Sequence, residues 1–400
     1  MIQDINTILS ANARNMRRSA IRDLLNVTSR PGMISFAGGF PDPNTFPVEQ
    51  LKEIMHDVLE QESVSALQYG PTEGNPRLRD ALAQRYQREG LHVTKDNFLI
   101  TTSSQQAIDL VSKVFLDPGD TLVCGLPSYL GALQSFFAYQ ACPIGIPKDE
   151  ELDTVVRALI SSGKKPKFIY AIPDFQNPSG ITMTKQQRLE VIDVAKKYDL
   201  LIVEDSPYRE IRFEGEPQPM MYSLDDSERV ITLGTFSKIF VPGFRLGWVI
   251  AHPAIIDKLV VAKQATDLCA PVFDQCVAAR YVAQGLMDQN IKSTIENYRN
   301  KRKNMLECFE KYMPQGVTWT NPEGGLFLFM TLPEQYDATD LFNLAIQESV
   351  AFVTGEAFHC DGSGKNTLRI NFSYMPEDRA EEGVRRLAAA IRKMMGLDNR

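Results

Sequence analysis

The sequence predicts an α/β protein: a large domain with a mostly parallel sheet flanked by helices, followed by a smaller α+β domain. Three observations predict it. From about residue 98 to 251, short continuous apolar runs alternate with amphipathic stretches, the pattern of a sheet buried on both faces. Beyond a long charged stretch at about 288–313 the texture changes, and strand-like runs lie between helical ones. The chain has 400 residues, 44% hydrophobic and 23% charged, which suffices for a large core and a second domain.

The elements follow in order. The first fifty residues end in "SFAGGFPDPNTFP", a Gly- and Pro-rich loop expected to join the small domain or cross the cleft. "FLIT" (98–101) predicts a strand and "SQQAIDLVSKVFL" (104–116) a helix. "TLVC" (121–124) predicts a strand, and 129–139 a helix. "KFIYAI" (167–172), "LLIVE" (200–204), "RVITLG" (229–234) and "LGWVIA" (246–251) predict buried strands. "TKQQRLEVIDVAKKY" (184–198) lies between the first two as a helix, and another helix starts near Pro253. "GLFLFM" (325–330), "AFVTG" (351–355) and "TLRINFS" (367–373) predict strands of the small domain. "PEDRAEEGVRRLAAAIRKMM" (376–395) is a strongly amphipathic last helix. The expected division is 1–50 for the N-terminal helix and loop, 51–290 for the large domain and 291–400 for the small one.

Composition narrows the function. A net charge of −7 disfavours a nucleic-acid partner, which needs a basic face. The six cysteines show no CxxC and read as reduced thiols of an intracellular protein. The four histidines form no HExxH, so no metal site is expected. No apolar run approaches the roughly 18 residues of a membrane span. The N-terminus does not read as a secretory signal, so the expected location is the cytoplasm.

In a parallel α/β sheet, ligands bind at the carboxyl ends of the strands. After "FLIT", the run Thr-Thr-Ser-Ser-Gln-Gln opens a helix, and Ser104 and Gln105 suit an anion. Alone, Ser104 reads as well as an N-cap. After "KFIYAI" comes "PDFQNPSG", where Asn177 is either turn chemistry or an amide donor. After "LLIVE", Asp205 is either a turn residue or a carboxylate for a protonated ring nitrogen, with the Tyr208 hydroxyl close by. The loop "GTFSKIFVPGFRLGW" then carries Thr235, Ser237, Lys238 and Arg245, two hydroxyls and two cations that suit a phosphate. Most lysines are solvated. One beside another cation and partly desolvated loses proton affinity and becomes an amine able to form a Schiff base. Together these residues match pyridoxal 5′-phosphate, which needs a lysine for its aldehyde, an acid for its ring nitrogen and an anion site for its phosphate.

The chain resembles the fold-type I, class I/II pyridoxal-phosphate aminotransferases, in the branch of the 2-aminoadipate and kynurenine enzymes. "QYGPTEGNPRLRDAL", "TTSSQQAIDL", "PSYLGAL", "PDFQNPSG", "VEDSPYRE", "GTFSKIFVPGFRLGW" and "LRINFS" occur in the family's order. Ser103 and Ala107 stand where relatives often have glycine, and Ser206 where an acidic residue is common, which leaves the subfamily open. The resemblance implies a seven-stranded type of large sheet. It implies that Lys238 holds the cofactor and shuttles a proton between Cα and C4′, that Asp205 pairs with the ring nitrogen, and that Asn177 and Tyr208 bond the ring oxygen. Tyr129 would stack on the ring, and Ser104, Gln105, Thr235, Ser237 and Arg245 would hold the phosphate. Tyr69 would reach the phosphate of a second subunit, which implies a homodimer with sites at the interface. Arg369 would clamp the substrate carboxylate, helped by Asn177 and the backbone near Gly39. An arginine in an apolar strand already asks for a partner, which could be this carboxylate, water or a protein acid. Arg22 would meet the distal carboxylate of acidic substrates, or else sit solvated beside Arg17 and Arg18. The expected reaction moves an amino group from glutamate, 2-aminoadipate, or an aromatic or branched-chain amino acid to a 2-oxo acid such as 2-oxoglutarate. The alternatives are a lyase on the same cofactor, or a cofactor-binding sensor without a DNA-binding domain.

Overall fold

The computed structural model describes residues 4–15, 31–147 and 149–397. Arg17, Arg18 and Arg22 lie outside the described residues.

The strands are β1 (Ile34–Ser35), β2 (Phe98–Thr101), β3 (Thr121–Gly125), β4 (Cys142–Ile146), β5 (Phe168–Ala171), β6 (Leu201–Asp205), β7 (Val230–Thr235), β8 (Gly247–Ile250), β9 (Thr318–Trp319), β10 (Phe327–Thr331), β11 (Val350–Ala351), β12 (Val353–Thr354) and β13 (Thr367–Asn371). β2 to β8 form one seven-stranded sheet in the order β2-β8-β7-β6-β5-β3-β4. Every neighbour pair is parallel except the two that involve β8. β2, β7 and β8 are buried at every residue, because helices cover both faces of the sheet. The period of two still shows in which core each residue enters. Val203 and Ile231 join one cluster with Ile108 and Leu259. Their neighbours Ile202 and Val230 join another with Val191 and Ile192.

Local signals set the helix ends. Lys185–Tyr198 starts with a reciprocal capping box between Thr184 and Gln187 and ends at Asp199 in the left-handed region. The 27-residue helix Leu286–Tyr312 follows Gly285, at φ 72°. No helix among the described residues is long and apolar enough to cross a membrane.

A second, four-stranded antiparallel sheet has the order β12-β13-β10-β9. Beside it β1 pairs in parallel with β11, Ile34 opposite Val350. The Phe36 carbonyl then accepts from Asn371 N at 2.9 Å, which ties the N-terminal segment to the end of β13.

Some elements differ from the sequence reading. "AFVTG" is two short strands in two sheets, separated by buried Phe352. β4 adds an edge strand whose Pro143 and Gly145 hide the strand pattern. Val48–Ala66 and Pro76–Arg88 are additional helices before β2. Asp205 closes β6 and does not lie in the loop after it.

Candidate active site

The carboxyl ends of β2, β5, β6 and β7 open on one cavity of about 320 Å³. Ser104, Gln105, Tyr129, Asn177, Asp205, Tyr208, Thr235, Ser237, Lys238, Arg245, Arg369 and Gly39 all line it. Tyr69 does not. It is 80% exposed and sits in a separate depression with Gln68 and Arg77.

Lys238 ends a short 3₁₀ turn, Phe236–Lys238, that follows β7 directly. The Thr235 hydroxyl starts this turn by accepting from Ser237 N, at 3.1 Å, and donates to Ser237 Oγ at 3.0 Å. The Lys238 amine donates to the Gly39 carbonyl at 2.7 Å, so the glycine-rich loop touches the amine through its backbone. Burial, together with the Arg369 and Arg245 cations, lowers Lys238 from 10.5 to about 8. A fraction of the amine is therefore neutral and nucleophilic near pH 7.

One end of the cavity is built from the start of the helix Ser103–Phe115 and from the loop after β7. Thr102 precedes that helix and makes no side-chain cap, so Ser104 is not the N-cap; it lies inside the first turn. Ser103 is at φ 68°, an uncommon conformation for a residue with a Cβ. Gly247 on β8 permits the close approach: a Cβ there would lie 2.7 Å from the Ser103 carbonyl carbon and 2.8 Å from Ser104 N. Gln105 is held by the Gly131 carbonyl at 2.9 Å and the Tyr129 hydroxyl at 3.2 Å. Arg245, at the exposed edge, reaches Ser237 Oγ at 3.4 Å.

Asp205 is 2% exposed. Its Oδ2 accepts from the Tyr170 hydroxyl at 2.6 Å, while Oδ1 is buried without a partner. Burial raises this carboxyl from 3.8 to about 7, against the pull of the Tyr170 bond. An unpartnered, buried carboxylate oxygen on a residue that lines the cavity is what a protonated ring nitrogen requires, so the residues present fit pyridoxal phosphate. Burial also drives the Tyr208 hydroxyl well above its ordinary range, with Asn177 pulling the other way.

Arg369 comes from the small sheet, on β13, and is 1% exposed. It donates to Asn177 Oδ1 at 2.8 Å and to the Ala37 carbonyl at 2.5 Å, and its Nε has no partner. Its guanidinium lies 4.2 Å from the centre of the Phe327 ring and 5.1 Å from that of Phe358. No described acid pairs with it. Burial lowers it from 12.5 to about 10. The question of its protein partner is answered by neutral oxygens only.

Sequence reasoning missed Tyr170, Phe327 and Phe358. Tyr170 reads as an ordinary core residue of "KFIYAI". Its neighbour strand carries the carboxylate it serves, a relation visible only once β5 and β6 are paired.

The fold and this constellation define a class, and comparison with known proteins agrees. The family model for Aminotransferase class I and II matches residues 33–387. The chain belongs to that family and is a fold-type I aminotransferase. It is 45% identical over 399 residues to the aromatic-amino-acid aminotransferase 1 of Thermococcus litoralis, covering 98% of this chain and 96% of that one. It is 38% identical over 391 residues to the 2-aminoadipate transaminase of Thermus thermophilus, covering 96% of each. Among solved structures, it matches the Pyrococcus horikoshii kynurenine aminotransferase, in complex with PMP, with TM-score 0.94 and 44% identity over 99% of both chains.

Proposed function

We propose that this pyridoxal-phosphate aminotransferase takes its amino group from glutamate, 2-aminoadipate or an aromatic amino acid, with branched-chain donors behind, and passes it to a 2-oxo acid such as 2-oxoglutarate. The observation that carries the reading is the presence of two unmatched buried groups on one cavity, the Asp205 oxygen without a partner and the Arg369 cation without an acid. The bound cofactor supplies a protonated ring that draws electrons from the substrate Cα. Lys238 Nζ would hold the cofactor aldehyde and would serve as the amine that takes up and returns the substrate's Cα proton. Asp205 Oδ1 keeps the ring nitrogen protonated, while Asn177 and Tyr208 donate to the ring oxygen. Ser104, Gln105, Thr235, Ser237 and Arg245 hold the phosphate, and Tyr129 covers the ring. Arg369 binds the substrate carboxylate, giving up its bonds to neutral oxygens for a charge-assisted pair.

Apolar lining from Phe40, Ile172 and Phe327 supports a permissive side-chain site that accepts aromatic donors. Arg22 is assigned to the distal carboxylate of acidic donors. The homodimer is part of the same reading, with Tyr69 reaching the phosphate of the other subunit. Exposed Val64, Leu67 and Tyr69 support such a surface. So is the division into 1–50, 51–290 and 291–400, supported by the separation of the seven-stranded sheet from the four-stranded one. The six free thiols support a reducing compartment, the cytoplasm.

The test is the absorption spectrum of the purified protein with each donor added in turn. Glutamate, 2-aminoadipate and an aromatic amino acid are expected to convert the cofactor band to the pyridoxamine form. Release of pyruvate and ammonia would instead indicate a lyase, and a band that no amino acid changes would indicate a sensor.

A further inference from the structure

The Asp205 carboxylate has one occupied oxygen and one without a partner, and the occupied one is not held by a cation. It is held by Tyr170, which is 1% exposed and lies one strand away. The ring of Tyr170 packs edge-on against Phe136, with centroids 5.4 Å apart and planes at 76°. The phenol therefore has a fixed direction, and its hydroxyl meets Oδ2 at 2.6 Å. No other described residue donates to either Asp205 oxygen.

We propose that Tyr170 is a positioning residue for the reaction: its hydroxyl turns Asp205 so that Oδ1 alone faces the cofactor ring, and it stabilises the carboxylate so that the shared proton stays on the ring nitrogen. This rests on the reading of the cavity as a pyridoxal-phosphate site. The physical reason is the burial of both side chains. A carboxylate bonded by one neutral donor in a low-dielectric site binds protons more tightly when that donor is deleted. The pair then shifts toward a neutral acid beside an unprotonated ring, which is a weaker electron sink. Tyr170 itself stays protonated, because burial and the adjacent carboxylate push its hydroxyl far above the ordinary range. It can donate but does not compete for the proton.

The test is Tyr170→Phe, which deletes one oxygen and keeps the ring. Three readouts are expected to move together. Cofactor affinity, titrated into the cofactor-free protein, falls about 10- to 100-fold, the range of one hydrogen bond to a charged group. The ¹⁵N resonance of ring-labelled cofactor moves toward the unprotonated position. In the cofactor-free protein, the stability loss linked to Asp205 moves to higher pH. In an Asp205→Asn background the same substitution is expected to change affinity less than twofold, because the two residues act as a unit. Affinity within twofold of wild type and an unmoved ¹⁵N signal would overturn the proposal. So would an equal loss in the Asp205→Asn background, which would make Tyr170 a packing residue only. If Tyr170→Phe does not fold alone, the double variant, which leaves no unpaired buried charge, is expected to fold. Its failure where Asp205→Asn folds would also overturn the proposal. Wild-type protein that binds no pyridoxal phosphate would remove the underlying reading, whereas a neutral Tyr170→Phe in a wild type that binds it removes this inference alone.

Discussion

At the scale of single residues, the site is a set of charges kept from their usual partners. Arg369 is buried with only neutral oxygens and two aromatic faces around it. Such a cation gains most when an anion arrives, so Arg369→Ala is expected to lower kcat/KM about 100-fold or more, largely through KM, as two charge-assisted bonds are lost. Asp205 and Lys238 give opposite pH signatures in the cofactor-free protein. Between pH 3.8 and about 7 the folded protein keeps a proton on Asp205 that the unfolded chain has released. The stability this adds is fully present below that window and is lost as pH rises through 7. Asp205→Asn is expected to abolish this component, which amounts to at most about 4 kcal/mol. Lys238 has its folded value lowered, so from about pH 8 to 10.5 the unfolded chain binds the extra proton and stability rises with pH. Lys238→Met is therefore expected to melt higher than wild type at pH 7, an advantage that disappears by pH 11. Thermal melts of cofactor-free protein across pH check both signs.

At the scale of elements, the proposed phosphate site depends on how closely β8 lies against the start of the helix Ser103–Phe115. A Cβ on Gly247 meets the Gly234 carbonyl, the Ser103 carbonyl carbon and Ser104 N, all within 2.8 Å. Gly247→Ala is expected to cost about 1–3 kcal/mol in stability and to weaken cofactor binding more than substrate binding, as read by thermal melts and cofactor titration. Most of these elements were legible in the sequence, because β2, β5, β6, β7 and β8 are continuous apolar runs with turn residues at their ends. Lys238, Asp205, Asn177 and Arg245 stood out for a related reason: they are polar residues at the ends of buried strands or in the loops between them, and the fold brings all four to one cavity. What stayed hidden was lateral. Tyr170 bonds across to β6, and Phe327 and Phe358 frame an arginine on β13, relations set by strand order that one-dimensional periodicity does not encode. β4 was hidden by its own proline and glycine, and the "AFVTG" run by a break at Phe352 between two sheets.

At the scale of the whole molecule, the site is assembled from distant parts of the chain. The strand ends of the large sheet and the loops after them supply Asp205, Asn177 and Lys238, β13 supplies Arg369, and the N-terminal segment supplies the Gly39 and Ala37 carbonyls. β1 anchors that segment through β11, so the loop that touches Lys238 also contacts the small sheet. The exposed Tyr69 surface adds an expectation: the protein sediments at twice the chain mass, and Tyr69→Phe weakens cofactor binding without dissociating the dimer. The most direct measurement concerns Lys238 itself. The holoenzyme is reduced with borohydride, digested and mapped by mass spectrometry. The account predicts a pyridoxyl group on Lys238 and on no other lysine; a label on a different lysine, or none on a protein that has bound the cofactor, would contradict it.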